Sequence, residues 1–156
     1  MTMADLEEAF QLIETSENAD FVGERSEDLI VKAEAALKLT FPPTYRIFLA
    51  RYGCGDINGC EIEGIVHEDF ANSGIPDAIW HTLELRKQFT DCNRLILISD
   101  TGYGSYCAID CERSDQAGEC PIVEWWPGLS RSPENPRKIA NDFGQFLLEE
   151  ITRSLE

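Results

Sequence analysis

The segment Leu95-Ile-Leu-Ile-Ser99 constrains the fold more than any other part of the sequence. A short aliphatic run of this kind predicts a central β-strand that is covered on both faces. Asp100-Thr-Gly-Tyr-Gly104 follows and predicts a hairpin turn, so that 105–111 returns as the next strand. A polar loop over 113–119 leads to a further strand over 121–126. This order predicts a mixed, mainly antiparallel sheet.

Amphipathic or capped segments surround this strand region. Apolar residues at helical spacing, together with Ser26 as an N-cap and Pro43 as a first helical residue, predict helices over 3–17, 26–37, 43–52, 76–89 and 138–153. Between them lie a polar loop over 18–25, a glycine-rich turn over 53–59, a half-buried strand over 61–66 and a polar loop over 130–136. We therefore predict an α+β fold, with the N- and C-terminal helices packed on one side of the sheet, in a single domain over residues 1–156.

The net charge of the chain indicates which kinds of partner it can bind. The chain has 29 acidic residues against 13 basic ones, a net charge of −16. Nucleic acids and anionic membranes bind Lys and Arg, so neither is an expected partner, whereas a basic protein would be steered towards this surface. The acidic start and the lack of an apolar run behind it do not resemble a signal peptide, and no stretch has the length of a membrane span. We expect a cytoplasmic protein.

The sequence favours neither a metal site, nor an aspartic-type hydrolase, nor a phosphate-binding loop. The six cysteines fit reduced, metal-free thiols, because Cys107 and Cys111 lie about 13 Å apart on one strand, too far to share a zinc ion. Asp100-Thr-Gly resembles the motif of an aspartic-type hydrolase, which needs two such carboxylates, so this single copy would require a dimer. A hairpin turn is the favoured interpretation, because Asp and Gly are the residue types expected there. Gly102-Tyr-Gly104 is too short for a phosphate loop. We predict no catalytic residue, no cofactor and no metal.

Strand alternation suggests a binding surface instead. If helices cover one face of the sheet, the opposite face is lined by Tyr106, Asp110, Glu124 and Trp126. Aromatic side chains beside acids suit a protein interface, because rings fill pockets and acids pair with Lys or Arg. Asp56 and Tyr103, on turns, are expected at its rim. An alternative leaves Trp126 packed under the 130–136 loop.

The order of motifs resembles the SUKH superfamily, also known as the Smi/Knr type. The resemblance is carried by Ile30-Val-Lys-Ala-Glu-Ala-Ala-Leu37, by Phe41-Pro-Pro-Thr-Tyr-Arg-Ile-Phe-Leu-Ala-Arg-Tyr-Gly53 and by Ile139-Ala-Asn-Asp-Phe-Gly-Gln-Phe-Leu147; Gly118-Glu-Cys-Pro-Ile-Val-Glu-Trp125 is most similar to the YobK-like branch. The resemblance implies an immunity protein that binds one-to-one to a cognate polymorphic toxin, often a nuclease. A fungal branch acts in cell-wall signalling, so a regulatory or scaffold binding module is the alternative, ahead of a hydrolase using Asp100.

Overall fold

A computed structural model describes residues 2–129 and 136–156. In chain order the elements are α1 (Thr2–Thr15), β1 (Ala19–Phe21), α2 (Glu27–Leu37), α3 (Pro43–Arg51), β2 (Gly55–Ile57), β3 (Cys60–Ile62), α4 (Ala78–Gln88), β4 (Leu95–Asp100), β5 (Tyr106–Asp110), β6 (Ile122–Trp125), β7 (Arg137–Ala140) and α5 (Phe143–Ser154). The predicted α+β class is confirmed.

The strands form two antiparallel sheets, ordered β1-β2-β3 and β4-β5-β6-β7. The two sheets meet where the backbone N–H of Glu63 donates to the carbonyl of Ile98, at 2.8 Å. The Ser99 hydroxyl adds a second link by donating to the carbonyl of Glu61. The smaller sheet therefore continues the larger one past β4.

Two helix starts follow from single residues, as the sequence predicts. The Ser26 side chain accepts from the backbone N–H of Leu29 and caps α2. Pro43 opens α3, where its missing N–H leaves no helical bond unmade. Gly53 ends the segment with a φ of 73°, a backbone conformation that glycine adopts without steric strain.

The main core lies between one face of the larger sheet and the helices α1, α3 and α5. The Phe143 ring of α5 lies 5.0 Å from the Tyr45 ring and 5.2 Å from the Phe48 ring, both on α3. These rings pack in one cluster with the sheet residues Ile96, Ile98, Cys107, Ile109 and Ile122. The prediction that N- and C-terminal helices pack on one side is confirmed.

The opposite face of the larger sheet is also covered. Leu85 of α4 packs there in a second apolar cluster with Leu95, Leu97, Ala108, Val123 and Trp125. The predicted burial of the Leu95 run on both faces is thus confirmed. The accompanying picture of an open second face on β5 and β6 is wrong, because α4 occupies it.

Several predicted boundaries differ from those of the structure. The 138–153 segment begins as strand β7, and α5 starts only after Asp142, whose carboxylate caps it by accepting from the N–H of Gln145 at 2.9 Å. The predicted loop over 18–25 contains β1, and the turn over 53–59 contains β2. Most of the predicted 130–136 loop, at 130–135, lies outside the described residues. Within those residues, every helix falls short of the length and apolarity needed to cross a membrane.

Candidate partner-binding surface

Three carboxylates lie side by side across the smaller sheet. Asp20 of β1 is directly opposite Asp56 of β2, and Asp56 is directly opposite Glu61 of β3. Opposed residues in an antiparallel ladder project from the same face with Cβ atoms about 5 Å apart. The three acids line a shallow groove of about 210 Å³ together with Val22, Gly55 and Pro76. Like charges in this arrangement repel one another.

Asp100 extends this series onto the larger sheet. The negative charges of Asp56 and Asp100, after burial itself, raise the pKa of Glu61 above its ordinary value of 4.5. We call Asp20, Asp56, Glu61 and Asp100 the acidic row. Within residues 2–129 and 136–156, no Lys or Arg forms a salt bridge with any of its members. Among the described residues, the row is therefore a run of negative charge without a basic counterion.

The hairpin between β4 and β5 stands at the end of this row. Asp100 accepts from the N–H of Gly102 at 2.8 Å, and the N–H of Thr101 donates to the carbonyl of Ser105. The hairpin interpretation of Asp-Thr-Gly is therefore confirmed. Tyr103 at the tip is 85% exposed. Trp126 is half-buried beside the same turn, where a Cβ on Gly104 would lie 3.6 Å from its ring.

Tyr106 connects the hairpin to the interior. It is opposite Asp100 in the ladder and half-buried, with its ring 5.1 Å from that of His81. Burial, Asp100 and Glu63 all raise the pKa of its phenol, so the hydroxyl stays protonated. Among the described residues nothing hydrogen-bonds to this hydroxyl. Tyr106 thus offers a donor next to the acidic row.

The structure separates the other two predicted interface residues from this surface. Asp110 is fully buried, where Arg94 and Arg113 pair with its carboxylate at 3.3 and 3.5 Å. Glu124 lies opposite Cys107, whereas Tyr106 lies opposite Trp125 on the other face. The prediction that Tyr106, Asp110, Glu124 and Trp126 line one open face is therefore wrong.

Glu124 is in addition already neutralised. Its carboxylate accepts from the Ser105 hydroxyl at 2.8 Å and from Arg137 at 2.8 Å. Alternation along β5 and β6 divides the residues into two sets correctly. It does not reveal which face a helix such as α4 will cover.

Comparison by sequence places most of the chain in a known protein family. A SUKH family model with the description "SMI1-KNR4 cell-wall" matches residues 27–147. The chain belongs to this family. The matched segment contains Asp56, Glu61, Asp100 and the hairpin, while Asp20 of β1 precedes it. The match is to the family, and membership of the YobK-like branch stays a prediction.

Glu63 and His81 form a buried hydrogen-bonded pair that was not predicted from the sequence of this SMI1-KNR4 chain. The Nδ1 atom of His81 lies 2.7 Å from the Glu63 carboxylate, and both side chains are buried. Burial raises the pKa of Glu63, and the hydrogen bond with His81 opposes that rise. In the described part of the chain no hydroxyl or thiol hydrogen-bonds to His81. Within residues 2–129 and 136–156, the pair has no hydroxyl or thiol that could act as the nucleophile of a hydrolytic triad.

In the described part of the chain the cysteines, too, lack the arrangement that metal binding needs. All six are free thiols, and burial raises the pKa of Cys54 and Cys107 to about 12 and that of Cys60 to about 11. Metals bind the thiolate rather than the thiol. Among the described residues, no three His, Cys, Asp or Glu side chains are grouped so as to hold an ion. The surface built from the acidic row and the hairpin is the site with the clearest chemistry.

The acidic row was only partly accessible from sequence. Asp56 is among the predicted rim residues, and the alternation over 61–66 places Glu61 on the solvent side of its strand. The sequence does not indicate Asp20 as a member of the row, because a three-residue strand is too short to show a period of two. Glu63 follows the same alternation as Glu61 yet is buried, since β4 and His81 enclose it.

Proposed function

We propose that this SMI1-KNR4 chain is a bacterial immunity protein. It acts in the cytoplasm by binding its cognate polymorphic toxin one-to-one, and it carries out no catalysis. Family membership and the absence of a nucleophile beside His81 in the described residues support a role in binding. The acidic row is the observation that carries the proposal.

The row supports a partner with a basic surface. Opposed carboxylates destabilise a sheet, so a row of them is best accounted for by a ligand that neutralises them. Lys and Arg of a partner can do so, and a nuclease carries such residues to bind phosphate. We therefore propose a basic toxin domain, with a nuclease as the favoured class.

The aromatic side chains supply the second part of the interface. Tyr103 is exposed at the hairpin tip, Tyr106 offers its hydroxyl beside Asp100, and Trp126 is half-buried beside Gly104. Aromatic anchors commonly hold most of the binding energy, while rim charges set the association rate. We assign Asp56, Tyr103, Tyr106 and Trp126 to the interface and add Asp20, Glu61 and Asp100.

The test compares two charge-matched double variants by surface plasmon resonance, with the toxin domain of the neighbouring gene as ligand. Asp56→Asn with Glu61→Gln removes two charges from the row. Glu7→Gln with Glu8→Gln removes two exposed charges from α1. We expect the first pair to lower the association rate about tenfold at low salt and the second to change it by less than about twofold. Equal effects of the two pairs would contradict an interface at the row.

The family description favours a second candidate, a regulatory binding module linked to the cell wall. Both candidates use the same surface but differ in the partner. Capture of bound proteins from the native strain, followed by mass spectrometry, separates them. Recovery of a protein with a toxin domain supports immunity. Recovery of a signalling or wall-synthesis protein that is lost with Asp56→Asn would support the alternative.

A further inference from the structure

Two cysteines face each other across the strands β5 and β6, at the end opposite to the hairpin. The paired register runs to Ile109 and Ile122, and the N–H of Asp110 donates to the carbonyl of Pro121 at 3.0 Å, one step further. The next opposed pair is Cys111 and Cys120. These two residues flank the loop over 112–119.

The position of the two cysteines in the antiparallel ladder determines whether a disulfide can join them. In an antiparallel ladder, hydrogen-bonded and non-hydrogen-bonded pairs alternate. Asp110 and Pro121 form a hydrogen-bonded pair, so Cys111 and Cys120 fall on a non-hydrogen-bonded pair, whose Cα atoms are about 4.5 Å apart. Disulfides span Cα separations of roughly 4.4–6.8 Å. The backbone spacing therefore suits a cross-strand disulfide.

The two side chains also lie close enough to affect each other's pKa. Interaction between the two thiols lowers the pKa of Cys120 and is the largest cause of the raised pKa of Cys111. In the reduced protein the Cys111 thiol donates to the carbonyl of Ile109 and the Cys120 thiol to that of Gly118, both at 3.9 Å. Cys111 is half-buried and Cys120 is 2% exposed. A reagent in solution therefore reaches Cys111 first, and because the accessible thiol is the less acidic one, we expect a slow first step.

We propose that Cys111 and Cys120 are a redox-sensitive pair that forms a reversible intramolecular disulfide by exchange with a low-molecular-weight disulfide. The Cys111 thiolate attacks one sulfur of the reagent, and one thiol of the reagent leaves. The Cys120 thiolate then attacks the Cys111 sulfur, and the second thiol leaves. Two protein thiols and one disulfide thus become one protein disulfide and two small thiols. Disulfides of cytosolic proteins are commonly of this transient kind.

The loop between the two cysteines is held by hydrogen bonds, so forming the disulfide requires little movement of the backbone. The Asp115 side chain accepts from the N–H groups of Ala117 and Glu119 at 2.8 and 3.0 Å, which fixes the turn between the two cysteines. Of the remaining thiols, Cys60 and Cys107 are the next to consider, but they lie on β3 and β5, with β4 between them. We therefore assign the disulfide to Cys111 and Cys120.

The experiment incubates the reduced protein with oxidised glutathione, quenches by alkylation and counts thiols in denaturant. Wild type should fall from six thiols to four, lose the mass of two hydrogen atoms and yield a linked Cys111–Cys120 peptide. Its midpoint of thermal unfolding should rise by about 5 °C and return with dithiothreitol, because the bond closes a short loop of the unfolded chain. Cys60→Ser is the matched control and should still lose two thiols.

Cys120→Ser should instead retain glutathione on Cys111. Three results would overturn the proposal: wild type that keeps all six thiols, wild type that stops at a glutathione adduct, or a linked peptide that contains another cysteine. The peptide map needs wild type alone, so a variant that fails to fold leaves the test intact. None of these results depends on the toxin, which keeps this inference separate from the proposed function.

Discussion

Asp56 of β2 lies directly opposite Glu61 of β3, and no basic side chain in the described part of the chain pairs with either. A sheet position that favours a neutral or opposite-charge pair is thus filled by two like charges. The opposed charges lower the stability of the free protein, whereas they favour binding of a basic partner. Substitutions in the acidic row should therefore separate the two properties.

Glu61→Gln should stabilise the free protein by about 0.5 kcal/mol at neutral pH, because it removes one cross-strand repulsion. Burial and the charges of Asp56 and Asp100 raise the pKa of Glu61 in the folded state, so wild type binds its proton more tightly when folded. Stability from this group is complete below its ordinary pKa of 4.5 and is lost as pH rises through the raised value. The advantage of Glu61→Gln over wild type should accordingly grow from pH 4 upward, which urea titrations at several pH values measure. A constant difference would contradict this account.

Trp126→Ala should increase the dissociation rate of the toxin complex by roughly 30- to 1000-fold, the range expected for an aromatic anchor. The association rate should change little, because it depends mainly on the acidic row. Surface plasmon resonance resolves the two rates, and circular dichroism checks the fold. An unfolded variant would place Trp126 in the core, and unchanged binding would place the interface elsewhere.

Asp110→Ala should destabilise the fold by about 2–3 kcal/mol, since it leaves Arg94 and Arg113 beside an empty buried site. Its effect on the association rate of the toxin should be less than about twofold, because the carboxylate is fully buried. Chemical unfolding and the resonance assay together test both statements. A slower association in a folded variant would return Asp110 to the interface.

Glu119→Ala should destabilise the fold by about 1–2 kcal/mol. The carboxylate of Glu119 accepts from the backbone N–H of Thr44 at 3.0 Å and from its hydroxyl at 2.6 Å, at the start of α3. Pro42 at the cap position provides no side-chain bond of its own. Glu112→Ala, an exposed glutamate of the same loop, is the control and should change the unfolding free energy by less than about 0.5 kcal/mol.

Gly64→Ala should destabilise the fold by at least about 3 kcal/mol. A Cβ at this position would lie 1.8 Å from the carbonyl oxygen of Gly53, and the backbone of Gly64 is held by bonds to Pro76 and Ala78. Gly74→Ala is the matched control, since no atom lies within 4 Å of its added Cβ. Thermal unfolding of both variants provides the comparison, and equal midpoints would contradict it.

Features set by neighbours in the chain could be predicted from sequence. The N-cap at Ser26, the helix start at Pro43, the hairpin after Asp100 and the burial of the Leu95 run each depend on a few adjacent residues. Features set by distant contacts could not. The burial of Asp110 depends on α4 covering a second face of the sheet, and the Glu63–His81 pair joins residues eighteen positions apart. A register shift between Leu97 and Ser99 further disturbs the simple alternation of β4.

The cover of helices on both faces of the larger sheet has a consequence for how the molecule meets its surroundings. Among the described residues, the partly exposed positions along β5 are Tyr106 at its start and Cys111 just after its end, separated by roughly 16 Å of extended chain. One end presents carboxylates and rings, and the other presents sulfur. The packed core lies between the two ends, so a molecule bound at one end does not contact the other. Chemical modification of Cys111 should therefore leave recognition at the far end undisturbed.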